Sequence, residues 1–246
     1  MNPEWDFYMF GDADIVAYLE HSNYKILRPL YEIVATGAIR ADLWRYLIIY
    51  DYGGVYFDID AWAWAPLRNF IPEDVAVVTS SMTAGLLCQW ALIYRPGHFI
   101  MSATAKEAFQ SVLRVVTGEE DWKIHEYEWK EKVTGPPALS RAFERTSKLV
   151  RGRPEDKMIM YLNDEFGHQM RNRYGELNPE KYAKKTDSLE DAHWGDYSKS
   201  MFYPDIDRER FVKEKEVWME RIGKLFPDVE SGPIVYLDGP ETFITS

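Results

Sequence analysis

Apolar and polar residues along this chain follow two patterns, one typical of helices and one typical of buried strands. Residues 37–52 carry apolar side chains at spacings of three and four, which predicts an amphipathic helix. Residues 75–79 and 86–94 are uncharged apolar runs, which are typical of strands that a sheet buries. The same patterns predict helices over residues 15–20, 37–52, 97–116, 137–149 and 208–225, and strands over residues 7–10, 55–59, 75–79, 86–94, 158–162 and 234–237. This alternation predicts an α/β fold with a mainly parallel central sheet, in which later strands could run antiparallel.

The stretch YDYGGVYFDIDAW at residues 50–62 contains one of three Asp-x-Asp triplets in the chain. The triplets at residues 12–14 and 205–207 precede predicted helices, where acidic side chains stabilise a helix N-terminus. The middle triplet instead lies at the carboxyl end of a predicted strand, where α/β sheets bind ligands. Side chains two residues apart on a strand face the same side, so Asp58 and Asp60 form a pair of like charges. A hard divalent cation, Mn²⁺ or Mg²⁺, would relieve that repulsion.

Asp42 and Arg45 lie three residues apart on the predicted helix that leads into this strand. One interpretation is an ordinary surface ion pair, which contributes a few tenths of a kcal/mol, as is typical. The other is that both side chains face the crevice beside the Asp-x-Asp triplet. There Arg45 would bind a phosphate or a sugar hydroxyl, and Asp42 would accept a hydrogen bond from a hydroxyl. The spacing alone leaves both interpretations open.

The net charge of the chain and its distribution bear on which kinds of ligand the protein can bind. The formal net charge of −11 argues against a nucleic-acid backbone as the main partner. Residues 1–60 contain four Lys or Arg against ten Asp or Glu, so this quarter of the chain suits a bound cation. The same imbalance is also compatible with acidic residues that merely coat solvated helices.

Cysteine use and hydropathy bear on the compartment. A single cysteine excludes an internal disulfide, and the first residues lack the basic and apolar regions of a signal peptide. The uncharged run at residues 75–94 has a small, polar middle, which favours two buried strands joined by a loop over a membrane span. We therefore expect a cytoplasmic protein, or one peripheral to a membrane on its cytosolic side, with no transmembrane anchor.

Residues 40–60, RADLWRYLIIYDYGGVYFDID, resemble the sugar-binding DXD region of glycosyltransferase family 32. The features that match in register are Asp-x-x-Arg on a helix, a Gly-Gly turn, and an aromatic residue before Asp-x-Asp. Weaker similarities are NPEW at residues 2–5, Gln89 before RPGH at 95–98, TGP at 134–136, and HW at 193–194 before Ser198. The resemblance spans roughly residues 1–200.

The resemblance implies a retaining, metal-dependent transferase of the GT-A fold that uses a nucleotide diphosphate sugar. By position, Asp60 would bind Mn²⁺ or Mg²⁺, Asp58 would contact the metal or the ribose, and both would be catalytic residues. His193 would approach the metal or the diphosphate. The metal would neutralise the leaving diphosphate as the glycosidic bond breaks.

The same resemblance implies the contacts to the donor. Asp42 and Arg45 would bind the donor sugar, and Gly54 and Gln89 would line the substrate site. The donor would be a GDP- or UDP-hexose. The acceptor, whether glycan, lipid or protein, is left open because it would bind through variable loops.

The chain also departs from the family pattern. Family members usually begin with a further strand that lines the nucleotide-base pocket, and this chain starts after it. Gln89 replaces the usual asparagine, and Lys199 stands where tryptophan is usual. We therefore expect a GT-A-like domain over residues 1–200 without that first strand. Residues 201–246 would be an extension, a helix plus a short strand, packed on the same domain.

Two other classes of function remain open. One is a non-catalytic module that binds a sugar nucleotide or a glycan. The departures from the family pattern favour this class, whereas the intact Asp-x-x-Arg and Asp-x-Asp residues argue against it. The other is a metal-dependent phosphoryl-transfer enzyme, which would need a phosphate-binding loop. The chain contains no Gly-x-x-x-x-Gly-Lys-Ser/Thr sequence of that kind.

The three triplets yield a direct test. Asp60→Asn is expected to abolish metal-dependent donor binding with the fold intact, because Asp60 is the implied metal ligand. Asp207→Asn is expected to leave binding unchanged, because its triplet caps a helix. Thermal unfolding with GDP- and UDP-sugars, with and without Mn²⁺, measures both variants. If only Asp207→Asn lost donor binding, the middle triplet would be the wrong choice for the metal site.

Overall fold

The computed structural model describes residues 2–59, 61–63, 65–69, 71–73, 75–80, 86–120, 133–146, 158–161, 170–172, 201–228, 236–237 and 244–245. The helices are α1 (Asp12–His21), α2 (Arg28–Glu32), α3 (Gly37–Tyr52), α4 (Phe99–Val116), α5 (Pro136–Thr146), α6 (Arg208–Lys213) and α7 (Lys215–Leu225). Two 3₁₀ turns span Asn23–Leu27 and Leu67–Asn69. The strands are β1 (Gly54–Phe57), β2 (Ala61–Ala63), β3 (Val77–Ser80), β4 (Ala91–Tyr94), β5 (Met158–Tyr161), β6 (Met170–Asn172), β7 (Tyr236–Leu237) and β8 (Ile244–Thr245).

Helix α3 is the central helix of the core. It contacts α4, β1 and β4, and it buries Leu43, Tyr46 and Leu47 among its apolar residues. The helix ends at Gly53, whose N–H donates to the carbonyl of Ile49. Gly53 has a φ of 64°, a conformation that residues with a side chain rarely adopt. This turn sends the chain directly back as strand β1.

The main sheet has four strands in the order β1-β4-β3-β5. Strand β4 pairs antiparallel with both β1 and β3, whereas β3 and β5 pair in parallel. The predicted α/β composition is confirmed, but the prediction that the central sheet is mainly parallel is wrong. The physical reason is the short connection between β3 and β4, residues 81–90. A parallel pair needs a longer crossover, and a short connection reverses the chain.

Several predicted elements appear close to their predicted bounds. The uncharged run at residues 75–94 is two strands, β3 and β4, as predicted. No helix in the described ranges is long and apolar enough to cross a membrane. Both outer Asp-x-Asp triplets take part in helix caps, as interpreted. Asp14 accepts from the N–H of Gly11 at 2.9 Å, and Asp207 accepts from the N–H of Arg210 at 3.0 Å.

Other predicted elements differ. Residues 7–10 are exposed and form no strand, because no described strand lies beside them. The strand predicted over residues 86–94 begins only at Ala91. The helix predicted over residues 208–225 is two helices, α6 and α7, with Glu214 outside helical geometry between them.

The C-terminal segment 201–228 packs on the N-terminal helices. The N–H of Ala35 donates to the carbonyl of Met201 at 2.8 Å. The ring of Phe226 stacks on that of Tyr24, with centroids 5.8 Å apart and planes 14° apart. Trp218 is fully buried, and α7 contacts α4. These contacts tie the described part of the extension to the same core.

The turn between α3 and β1 yields a prediction about stability. A Cβ atom on Gly53 would lie 2.5 Å from Cδ of Pro96, whereas one on Gly54, at φ 90°, would meet no atom within 4 Å. Gly54→Ala is expected to cost about 1–3 kcal/mol of unfolding free energy through its backbone alone. Gly53→Ala is expected to cost about 1–3 kcal/mol more, because it adds a clash. Urea unfolding measures both, and equal losses would contradict the packing described at Pro96.

Candidate active site

Asp58 lies directly after strand β1, at the edge of the main sheet. Its backbone N–H donates to the carbonyl of Trp90 at 2.9 Å, which fixes the end of the strand beside the start of β4. Its Oδ1 accepts from the hydroxyl of Tyr56 at 2.8 Å and lies 3.1 Å from Nη2 of Arg45. The side chain is 21% exposed, so the carboxylate remains within reach of solvent. The other oxygen, Oδ2, makes no hydrogen bond or ion pair with the described residues.

Arg45 is shared between two carboxylates. Its Nη2 lies 3.2 Å from Oδ1 of Asp42 as well as 3.1 Å from Oδ1 of Asp58. The side chains of Arg45 and Asp42 are only 7% and 4% exposed, so the interpretation as a surface ion pair is wrong. Nη1 donates to the carbonyl of Gln89 at 3.2 Å, and the guanidinium lies 4.7 Å from the ring centroid of Tyr56. Two carboxylates, a carbonyl and an aromatic ring thus stabilise this buried cation.

Asp42 belongs to a buried hydrogen-bond network. Its Oδ2 accepts from the hydroxyl of Thr134 at 2.7 Å. The carbonyl of Thr134 accepts from the hydroxyl of Tyr46 at 2.6 Å, and that hydroxyl accepts from Nε2 of Gln89 at 2.6 Å. The network connects α3 to the chain before β4 and to residue 134, just before α5. Asp42 is thus fixed on both of its oxygens.

Burial and neighbouring charges shift the pKa values of this cluster. Burial raises the pKa of Asp42 to about 6, against the opposing effects of Arg45 and Thr134. Burial works against the charge of Arg45, but Asp58, Tyr56 and Asp42 together raise its pKa, so the guanidinium stays protonated. The pKa of Tyr56 is also raised, first by burial, so its hydroxyl keeps the proton that it donates to Asp58. One cation therefore pairs with two carboxylates, and burial opposes the ionisation of Asp42.

A row of aromatic rings flanks the cluster. The ring of Trp44 lies 6.2 Å from that of Tyr56 and 4.9 Å from that of Phe10, between centroids. Phe10 belongs to the exposed segment at residues 7–10. The row therefore extends from the edge of the carboxylate cluster to solvent.

The predicted site residues are only partly brought together. Asp42, Arg45 and Asp58 form one cluster, and Gln89 contacts it through its carbonyl. The amide of Gln89 is buried and donates to Tyr46, so its predicted contact with substrate stays a prediction.

Gly54 lies apart from this cluster. It stands at the opposite end of β1 from Asp58, about 13 Å away along a strand. Asp60 and His193 lie outside the described residues, so their roles stay predictions. Within the described ranges, no group of three or more His, Cys, Asp or Glu side chains could bind a metal ion.

The sequence patterns predict no role for three residues of the cluster, Tyr46, Tyr56 and Thr134. Tyr56 shares a strand face with Asp58, and Tyr46 is one helical turn from Asp42, so both follow from the periods of strand and helix. Thr134 is 92 residues from Asp42, and no local pattern indicates that contact. Only the short TGP similarity pointed to this part of the chain.

Comparison with known proteins agrees with the resemblance. The family described as "Glycosyltransferase sugar-binding region containing DXD motif" matches residues 1–77, and the resemblance is confirmed over that region. An initiation-specific alpha-1,6-mannosyltransferase of Schizosaccharomyces pombe is 24% identical over 132 residues, which cover 46% of this chain and 31% of that protein. Inositol phosphoceramide mannosyltransferase 1 of the same organism is 27% identical over 86 residues, or 35% of this chain and 27% of that protein.

Two further similarities complete the comparison. The putative glycosyltransferase HOC1 of Saccharomyces cerevisiae is 24% identical over 133 residues, which cover 46% of this chain and 34% of that protein. The chain thus spans about a third of the length of the curated relatives that it matches. Among solved structures, PaToxG glycosyltransferase aligns with a TM-score of 0.39 and 15% identity, over 87% of this chain and 65% of that one.

The raised pKa of Asp42 yields a prediction about pH. Ionising Asp42 costs the folded state, so its contribution to stability is full below pH 3.8 and is lost as pH rises through about 6. The unfolding free energy of the wild type, relative to Asp42→Asn, is expected to fall by roughly 2–3 kcal/mol across that window. Denaturant unfolding at a series of pH values measures this difference. A difference that grows with pH would mean that Arg45 outweighs burial at Asp42.

Proposed function

We propose that this chain, which carries a glycosyltransferase sugar-binding region at residues 1–77, transfers a hexose from a nucleotide diphosphate sugar to an acceptor. The observation that carries the proposal is the carboxylate of Asp58 at the end of β1, oriented through one oxygen and open at the other. The names of two of these relatives specify mannose, so GDP-mannose is the first donor to test, with UDP-hexoses beside it.

A divalent cation is part of the proposal. Asp58, with Asp60 and His193, would bind Mn²⁺ or Mg²⁺, and this ion would stabilise the charge that develops on the leaving diphosphate. The oxygen chemistry of Asp58 fits such an ion, because Oδ2 is free of other partners in the described part of the chain. A carboxylate oxygen that protein donors already satisfied would compete poorly for a metal.

Arg45 and Tyr56 orient Asp58 in this proposal. Both bind Oδ1, which leaves Oδ2 directed away from them and fixes the rotamer of the carboxylate. Asp42 acts one step further away, because it pairs with Arg45 and is itself fixed by Thr134. We infer that Asp42 and Arg45 act mainly as positioning residues, since both side chains are buried. Direct contact with the donor sugar would require the cluster to open.

The aromatic row offers the donor or the acceptor an apolar surface at its exposed end, Phe10. Trp44 is buried behind Phe10, and Tyr56 lies beside the carboxylate cluster with Arg45 over its ring. Sugar and base rings have apolar faces that pack well on aromatic side chains. Retention of configuration at the sugar stays part of the proposal, and no carboxylate is assigned as a nucleophile.

The proposal predicts donor binding that needs both the metal and Asp58. A donor at about 100 times its dissociation constant stabilises the fold by about 2.7 kcal/mol, or roughly 5–10 °C in Tm for a chain of this size. Asp58→Asn is expected to lose the Mn²⁺-dependent part of this shift, because it removes a charged metal ligand. Asp205→Asn is the matched control, since Asp205 belongs to the triplet before α6.

Release of the nucleotide diphosphate separates an enzyme from a binding module. With the donor that gives the largest shift, the wild type is expected to release nucleotide diphosphate slowly, by transfer or by hydrolysis of the donor. Chromatography of the nucleotide measures this release. Binding without release in the presence of glycan acceptors would instead favour the non-catalytic module. No binding of any donor would overturn both.

A further inference from the structure

A cavity lies where helices α1 and α3 both end, away from the candidate active site. Its volume is about 420 Å³, within the usual range for small-ligand sites. The residues that line it are Tyr18, His21, Ser22, Asn23, Asp51 and Tyr52. Asp51 is nine residues after Asp42 on α3, a distance of about 13 Å along a helix. The cavity therefore belongs to the opposite end of α3 and is separate from the cluster at Asp58.

Asp51 is the most strongly organised group of this cavity. One carboxylate oxygen accepts from the hydroxyl of Tyr18 and the other from the hydroxyl of Tyr24, each at 2.7 Å. Tyr24 is itself buried, and its ring stacks on Phe226. Burial, and then the hydrogen bond to Asp51, raises the pKa of both tyrosines, so both hydroxyls remain donors. An exposed carboxylate is thus fixed in one orientation by two side chains.

The negative charge of Asp51 has no counter-ion in the described part of the chain. No Lys, Arg or His side chain there forms an ion pair with it. Lys25 and Arg28, which follow the lining residues on the N-terminal side of the cavity, both pair with Glu20 instead. His21 lines the cavity, and its Nδ1 lies 2.8 Å from the carbonyl of Ala17. The C-terminal ends of α1 and α3 add partial negative charge at the same place. The carboxylate and the two helix ends therefore give the cavity a negative potential.

Aromatic rings provide the rest of the wall. Tyr52 is 71% exposed although its ring is large and partly apolar, and Tyr18 is half-buried beside it. A positive group gains free energy over the face of such a ring, especially when a carboxylate lies close by. A neutral polyol would gain hydrogen bonds here, but it would not use the uncompensated charge. The combination favours a cation.

We propose that this cavity binds an organic cation, an alkylammonium group, with Asp51 as its counter-ion and the rings of Tyr18 and Tyr52 as walls. The site is independent of the proposed glycosyl transfer, since it shares no residue with the cluster at Asp58. Two sources of the same chemistry are a free small molecule and the lysine side chain of a peptide.

The test uses choline as the probe for the full chain. Choline is titrated against the ¹⁵N-labelled protein at about physiological ionic strength, where diffuse attraction to the acidic surface is screened. Shift changes are expected at the amides of residues 18–23 and 51–52. The uncharged tert-butyl analogue of choline, which has the same shape, is expected to bind about tenfold more weakly or worse.

Variants assign the effect to the cavity. Asp51→Asn is expected to lower choline affinity about tenfold, because it removes the counter-ion. Tyr52→Leu is expected to lower it about threefold to fivefold, and this exposed side chain can be changed without disturbing the core. Asp6→Asn is the matched control, since Asp6 is an exposed acid in the same quarter of the chain, and it is expected to have no effect.

A blocked tripeptide with a central lysine, and the same peptide acetylated on that lysine, separate the two sources. Tighter binding of the lysine peptide than of choline would support a peptide partner, and the reverse a small molecule. Equal affinity for choline and its neutral analogue would overturn the proposal. So would unchanged choline binding in both Asp51→Asn and Tyr52→Leu.

Discussion

A guanidinium that is buried from water must be neutralised by its neighbours, and Arg45 imposes that requirement on the centre of this protein. Removing one partner of a buried ion pair typically costs several kcal/mol, because the other charge remains uncompensated. Asp42 and Asp58 together meet the requirement, one from the same helix and one from the end of the adjoining strand. The geometry of α3 and β1 is therefore fixed by electrostatics as well as by packing.

The pairing with Arg45 also explains the orientation of the Asp58 carboxylate. Because Arg45 and Tyr56 both bind Oδ1, the carboxylate is oriented before any ligand arrives. Preorganised charge of this kind is worth more than the same charge on a mobile side chain. Burial disfavours the ionised form of Asp42 and raises its pKa to about 6, although Thr134 donates a hydrogen bond to it.

Local sequence patterns are sufficient to predict α3, the turn at Gly53 and the position of Asp58 after β1. All three depend on residues that are neighbours in the sequence. Patterns failed where contacts are distant. The direction of β4 depends on a connection of ten residues, and the contact of Thr134 with Asp42 spans 92 positions. The apolar pattern at residues 7–10 predicts a strand. A strand also needs a neighbouring strand to pair with, and an apolar pattern does not reveal whether one is present.

We propose that Arg45 orients Asp58 for a metal ion and a nucleotide diphosphate without binding the metal itself. Electron paramagnetic resonance of Mn²⁺, titrated with GDP or UDP, measures this binding in the wild type and in Arg45→Lys. Lysine keeps the charge but cannot bridge two carboxylates with one planar group. Arg45→Lys is expected to remain folded and to bind Mn²⁺ with the nucleotide about tenfold more weakly or worse. Binding equal to that of the wild type in a folded Arg45→Lys would contradict it.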